Sequence, residues 1–233
     1  MKALVSHVRG TGSGLIAAGS PTREAIKRAL PGLRPLVRMA RNVRYQVRFA
    51  VEHKPDRHVL TDVIFPAFVQ SPDARRILFV GCDWYTRNYD KRLPGIELWT
   101  VDVDPRKARF GGTRHIVGSL TDIQEHIVGD SLDAVICNGV LGYGLDDPSD
   151  CDRAFRACFT CLRPGGVLIV GWNDDGFHNR FPLEGLPSLQ AFVPHTFSPF
   201  PCARYPTFGR DHHMFDFYRR PSDEHAPPET AAV

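Results

Sequence analysis

A chain of 233 residues that is 42% hydrophobic and 24% charged has the proportions of one sizeable globular domain with an appendage. Its apolar runs are far shorter than the roughly 20 residues that cross a bilayer, and the opening MKALVSHVRGTGSGLIAAGSP lacks the apolar region of a secretion signal, so a soluble cytoplasmic protein with six reduced thiols is expected. The net charge of +3 hides an asymmetry: residues 1–58 carry 12 Lys+Arg against 3 Asp+Glu, a balance of +9, while the other 175 carry 17 against 23, a balance of −6. The two parts are expected to face different partners.

The Gly/Ser stretch 10–20 leads into Pro21-Thr22-Arg23-Glu24, a helix start with Ser20 as its cap. A second helix is expected up to about Glu52, because Leu33, Leu36, Val37, Ala40, Val43, Val47 and Val51 recur at helical spacing. Arg34, Arg38, Arg41, Arg44 and Arg48 follow the same period and form a stripe. That stripe reads either as a peripheral contact for anionic lipid, nucleic acid or a phosphorylated substrate, or as a solvated helix face. A further helix is expected over about His58 to Gln70, before Pro72.

From Arg75 the pattern changes. Ile77 to Val80, Leu98 to Val101, His115 to Val117, Ala134 to Cys137 and Val167 to Val170 are short runs rich in Val and Ile, as expected of strands buried on both faces of a parallel sheet. Between them lie expected helices at about Tyr85 to Arg92, Pro105 to Phe110, Thr121 to His126 and Pro148 to Leu162, the last stopping on Arg163-Pro164-Gly165-Gly166. This alternation predicts an α/β fold, a Rossmann-like, doubly wound and mostly parallel sheet with a helical N-terminal extension. His213 to Tyr218 alternates like one more strand. The expected organisation is a basic helical extension over 1–58, an α/β domain over 59–220 and a disordered tail over 221–233.

Ligands of such sheets lie beyond the carboxyl ends of the strands, near the point where strand order reverses. The residues there are Gly81-Cys82-Asp83-Trp84-Tyr85, Asp102-Val103-Asp104-Pro105, Gly118-Ser119-Leu120-Thr121-Asp122, Asn138-Gly139 and Trp172-Asn173-Asp174. Asp102 can accept hydrogen bonds from both vicinal hydroxyls of a ribose. Asp104, followed by Pro105, reads as a helix cap. A dehydrogenase would need further glycines after Gly81 to seat a pyrophosphate, and GCDWYTR has none.

The segments ILFVGCDWY, TVDVDP, HIVGSLTDI, LDAVICNGVLGYGLDD and, most specifically, FTCLRPGGVLIV resemble the class I S-adenosylmethionine-dependent methyltransferase family over about Arg75 to Asp174. The resemblance implies S-adenosyl-L-methionine as cofactor, with Asp102 and Val103 at the ribose, Ser119 and Leu120 at the adenine, and Asn138 and Gly139 beside the methionine moiety. Gly81 and Cys82 would form the opening turn, where Asp83 and Tyr85 stand in place of two family glycines. Their hypothetical roles are to receive the cofactor ammonium, for Asp83 or its neighbours, and to flank the methionine chain, for Trp84 or Tyr85; a turn merely capped by Asp83 is the plainer alternative.

Methyl transfer needs a base only for weakly acidic acceptors. His213, and His178 with Asp174, are the candidates, since all belong to the ligand edge of the sheet if the closing strand is antiparallel. The Pro- and aromatic-rich stretch Phe177 to Phe208 is a candidate acceptor pocket. The expected reaction is methyl transfer to a hydroxyl of a small molecule or saccharide. The alternative is a non-catalytic Rossmann-like module that has lost cofactor binding. A nucleic-acid partner is not expected, because the fourth strand ends in CNGV with no NPPY-like tetrapeptide. Cys158 and Cys161 read as core residues rather than metal ligands, for want of two more convergent ligands.

Overall fold

The computed structural model describes residues 34–222, so the expectations for 10–24 and for most of the tail at 221–233 lie outside the described residues. The chain divides into two units, one up to Arg48 and one from Phe49 on. In the first, the described residues belong to helix α1 (Arg34–Glu52), which runs on into the second.

In the second unit α2 (Pro55–His58), a π-helical turn (Val59–Ile64) and α3 (Phe65–Gln70) form one continuous helical segment, starting three residues before the expected helix. Pro66 has no N–H to give to the preceding turn, which widens there. Strands β1 (Arg76–Val80), β2 (Glu97–Asp102), β3 (Arg114–Val117), β4 (Leu132–Asn138), β5 (Leu162–Asn173) and β8 (His213–Arg219) contain all six expected strands. With β6 (Val193–Pro194) and β7 (Arg204–Pro206), the order is β3-β2-β1-β4-β5-β8-β6, with β7 also on β8. Strands β1 to β5 are mutually parallel, whereas β8 is antiparallel to β5 in unbroken register from Val167↔Arg219 to Asn173↔His213. Strand order therefore reverses between β1 and β4, where the ligand crevice of such sheets forms.

Side-chain alternation along the strands divides the core into two layers. Leu78, Val80, Val135, Cys137, Leu168 and Val170 pack on α4 (Pro148–Cys161) through Phe155, Cys158 and Cys161. Ile77, Phe79, Ile136, Ile169, Phe215 and Phe217 pack on Leu60, Ile64, Phe65 and Phe68 of the helical segment. Burial pushes the Cys161 thiol up to about 11 and Cys137 and Cys151 up to about 12, so these are apolar packing groups at neutral pH.

Three expected helices are tighter than the sequence suggests, and the first is also shorter. Residues 85–89 form turns before a 3₁₀ turn at Asp90–Arg92, and the segments Pro105–Phe110 and Leu120–Glu125 are also 3₁₀. In the first, the Thr86 hydroxyl accepts from the Asp83 amide (3.1 Å) and lies within bonding distance of the Asp83 (2.8 Å) and Phe110 (3.0 Å) carbonyls. These bonds replace helical ones, and Pro94 leaves too few residues for a helix to propagate. Two strands escape the sequence pattern, β6 (Val193–Pro194) and β7 (Arg204–Pro206), which share the outer edge of β8. They are too short to alternate, and their prolines are tolerated at an edge.

Candidate active site

A cleft of about 490 Å³ opens at the carboxyl ends of β1, β2 and β4. It is lined by all ten residues that sequence reasoning assigned to the cofactor: Gly81, Cys82, Asp83, Tyr85, Asp102, Val103, Ser119, Leu120, Asn138 and Gly139. Gly81 leaves β1 at φ 80° and Gly139 leaves β4 at φ 69°, turns that a side chain disfavours, and a Cβ on Gly139 would meet nothing within 4 Å. The backbone is thereby drawn back from the crevice and its floor kept open.

Asp102 anchors the opening turn. Its Oδ2 accepts from the Cys82 amide (2.7 Å) and its Oδ1 from the Asp104 amide (2.9 Å), which leaves one lone pair on each oxygen for a ligand. Asp104 accepts from the Arg106 amide at 2.9 Å and caps its 3₁₀ turn, as its neighbour Pro105 implies; bonds from the Arg106 side chain and amide hold its carboxyl at about 2. Ser119 likewise caps the next 3₁₀ turn through Thr121 N (3.2 Å), and its hydroxyl proton is free to rotate towards the cleft.

Asp83 is differently placed from the free carboxylate the sequence suggests. Its Oδ2 is ion-paired with Lys107, and its Oδ1 accepts from the Trp84 amide at 2.7 Å. It is thus a turn cap with its charge already met. Tyr85 lines the cleft, and Trp84 packs edge-on against it, with centroids 5.4 Å apart.

The cleft also has a wall that the sequence reading did not include, formed by Val51, Lys54, Asp56 and Arg57. Asp56 is buried, with Arg57 Nε 3.4 Å from its Oδ2, and the Arg57 guanidinium lies 4.0 Å over the Tyr85 ring. The buried Nε of Arg57 makes no hydrogen bond. Lys54 bridges to Asp211, before β8, at 2.5 Å, and that bond raises its pKa. Gly209 packs on Pro55, so the β7–β8 loop closes this wall. The +9 balance of residues 1–58 placed Lys54 and Arg57 in a separate extension, but both line a cleft of the second unit.

His213, a predicted catalytic candidate, lies on the cleft floor but is fully committed. Its Nδ1 is 2.7 Å from Asn173 Oδ1 and its Nε2 2.9 Å from Asn138 Oδ1. Gly171 makes room for this bridge: a Cβ there would lie 2.0 Å from Asn138 Oδ1 and 2.9 Å from the ring. Burial holds His213 down to about 4, so the neutral ring has one N–H for two oxygens. Asn173 Nδ2 donates to Tyr143 Oη (3.4 Å), which fixes Asn173, whereas the buried Asn138 Nδ2 has no partner. A half-turn of the Asn138 amide gives His213 Nε2 an N–H and turns the Asn138 carbonyl oxygen to the buried position where Nδ2 has no partner. His213 is on this geometry a positioning residue.

A buried neutral histidine has a signature in stability. Below pH about 6.5 the unfolded chain binds a proton at residue 213 that the folded chain refuses, so stability is full above that pH and falls as pH drops towards 4, by on the order of 3 kcal/mol. Urea unfolding at several pH values should show this loss in the wild type and a shallower one in His213→Gln. Parallel curves would mean that the ring is not held neutral.

The other candidate pair is shifted by one residue. Asp174 is exposed, with its amide bonded to His212 O at 3.0 Å, and it is Asp175 that meets His178, Oδ2 to Nδ1 at 2.5 Å. Burial would raise the Asp175 pKa, but the His178 and Phe177 amides and the His178 ring hold it at about 2. His178 stacks on Tyr143, a cleft residue, at 4.7 Å and 22°, which places the pair at the rim.

The donor set fits an adenosyl amino acid. Asp102 has acceptor capacity for a diol and Arg57 is a cation for a carboxylate, and both line one crevice with Asn138.

Residues 79–170 match the methyltransferase domain family. No curated protein matches. Among solved structures, the chain is similar to the N-methyltransferase NodS from Bradyrhizobium japonicum WM9, at 18% identity and TM-score 0.56 over 73% of this chain and 99% of that one. The NodS complex with S-adenosyl-L-homocysteine aligns over 74% and 91%, with the same identity and TM-score. A TehB-like S-adenosylmethionine-dependent methyltransferase from Corynebacterium glutamicum ATCC 13032 Kitasato aligns at 18% identity and TM-score 0.50 over 78% and 98%. Fold, crevice and matching domain agree: residues 79–170 match a methyltransferase domain, and the sheet that carries them is consistent with a class I S-adenosylmethionine-dependent methyltransferase.

Proposed function

We propose that the protein transfers the methyl group of S-adenosylmethionine to a hydroxyl of a small molecule or saccharide. The observation that carries the reading is the Asp102 carboxylate, fixed by two amides at the end of β2 with two lone pairs left over the cleft. When bound, the cofactor supplies a methyl group on a sulfonium, activated for in-line displacement, and the chain's task is to align the acceptor and take its proton. Asp102 holds the ribose diol and Ser119 the adenine edge. Asn138, fixed through His213 and Asn173, holds the ammonium, and Arg57 the carboxylate.

The proton of a hydroxyl acceptor goes to His178 Nε2. Asp175 on Nδ1 orients the ring and stabilises the imidazolium that forms. The Tyr143 ring, stacked on His178 and bordering the cleft, forms the apolar side of the acceptor path.

Release of S-adenosylhomocysteine with a panel of phenols, sugars and primary amines tests this. Turnover is expected with hydroxyl acceptors, falling roughly a hundredfold in His178→Ala while affinity for S-adenosylhomocysteine stays unchanged. Turnover with amines alone, untouched by that substitution, would give the acceptor the type named for the Bradyrhizobium relative and remove the base. Absence of any saturable thermal shift with S-adenosylhomocysteine would favour the non-catalytic module.

A further inference from the structure

The arginine stripe has no part in the cleft chemistry. Helix α1 carries it on a continuous helix, and the described side chains from Ala40 to Val47 are all exposed. Leu36, Met39, Val43 and Val47 are between 54% and 65% exposed. At 3.6 residues per turn these four, with Ala40, occupy one arc of about 100°, and Arg44 and Arg41 follow immediately along one side of it. Exposed large apolar side chains scattered singly need no explanation, but five residues on one face of a helix form a contiguous patch that water solvates poorly. No helix among the described residues is long and apolar enough to cross a membrane.

We propose that α1 is a membrane-surface helix that lies in the headgroup plane of an anionic bilayer, with Leu36, Met39, Ala40, Val43 and Val47 inserted and Arg41 and Arg44 on lipid phosphates. Both halves of the surface are then used. Nucleic acid would engage the arginines and leave the apolar arc in water. A second copy of the helix would cover the arc but bring two arginine rows together, with Glu52 the one acid in the helix to relieve them. Residues 1–33 could cover it only by adding more positive charge, since they hold five Lys+Arg against one Glu. An anionic lipid surface meets both the apolar and the cationic demand.

The test is co-sedimentation of the full chain with phosphatidylcholine vesicles, with and without phosphatidylglycerol. Binding should require the anionic lipid and weaken as salt is raised. Arg41→Glu with Arg44→Glu should weaken it roughly tenfold or more, and Val43→Asp with Val47→Asp similarly, whereas Arg41→Lys with Arg44→Lys should retain it. All variants should bind S-adenosylhomocysteine like the wild type, which shows them folded. The proposal is overturned if folded wild type ignores both vesicles, if it binds both alike, if RNA or duplex DNA is bound while vesicles are not, or if sedimentation velocity shows a dimer that Val43→Asp dissociates.

Discussion

Asp102→Asn should abolish useful affinity for the cofactor, weakening S-adenosylhomocysteine and 5′-methylthioadenosine alike by on the order of a hundredfold in calorimetry. Both ligands carry the ribose diol, whose two hydroxyls donate to an ionised carboxylate. Charge-assisted bonds of this kind contribute about 1.5–3 kcal/mol each, and asparagine replaces one acceptor by an NH₂. The substitution also sets that NH₂ against the Cys82 or Asp104 amide, so the opening turn should loosen and the melting temperature fall modestly. Asp104→Asn is the matched control. It perturbs a cap on the same loop, and its carboxylate bonds to Arg106, so it should leave both affinities near the wild type. If Asp102→Asn binds both ligands as the wild type does, the crevice is not an adenosine site and the reading of the whole cleft fails.

What the sequence makes legible follows the range of the interactions. Strands β1 to β5 are buried on both sides, so each appears as a run of Val, Ile and Leu, and every expected strand residue lies inside an observed strand. The convergence of the ten residues assigned to the cofactor on one cleft was equally legible, because strand ends in a doubly wound sheet converge whatever the side chains are. Local hydrogen bonding was not. Thr86 and Ser119 spend their hydroxyls on turns, so expected helices tighten to short 3₁₀ segments. Pairings distant in sequence were the least visible: Lys107 with Asp83, Lys54 with Asp211, and His213 between Asn138 and Asn173 span 24, 157, 75 and 40 residues, and no periodicity encodes them. The Asp175–His178 pair is closer, and the Asx-type turn that makes it was available in the order Asp-Gly-Phe-His.

These pairings explain how GCDWYTR serves where the family resemblance leads one to expect a glycine-rich turn. Asp83 closes on Thr86 and Lys107, and Asp102 holds the Cys82 amide, so the turn is fixed by side chains rather than by glycine geometry. A turn with Asp and two aromatics cannot bring its backbone as near a ligand as glycine can, and the zwitterionic end of the cofactor needs partners from elsewhere. The wall of Asp56 and Arg57 packs on that turn, with the Arg57 guanidinium over the Tyr85 ring.

Arg57→Met should therefore separate two ligands that Asp102→Asn does not. S-adenosylhomocysteine carries the amino-acid tail and 5′-methylthioadenosine lacks it, so affinity for the first should fall roughly ten- to a hundredfold and for the second stay within about twofold. Methionine keeps the apolar stem against Tyr85 and removes only the charged fork, which limits repacking. The remaining risk is Asp56, which the substitution leaves buried without its nearest cation; the double variant Arg57→Met with Asp56→Asn removes that charge and should show the same ligand selectivity at restored stability. Lys54→Met provides the contrast, since its ammonium is already engaged by Asp211 and its loss should cost both ligands little. If Arg57→Met weakens both ligands in parallel, the arginine shapes the cleft as a whole. If it weakens neither while Asp102→Asn weakens both, the adenosine reading stands and the carboxylate is held by another group.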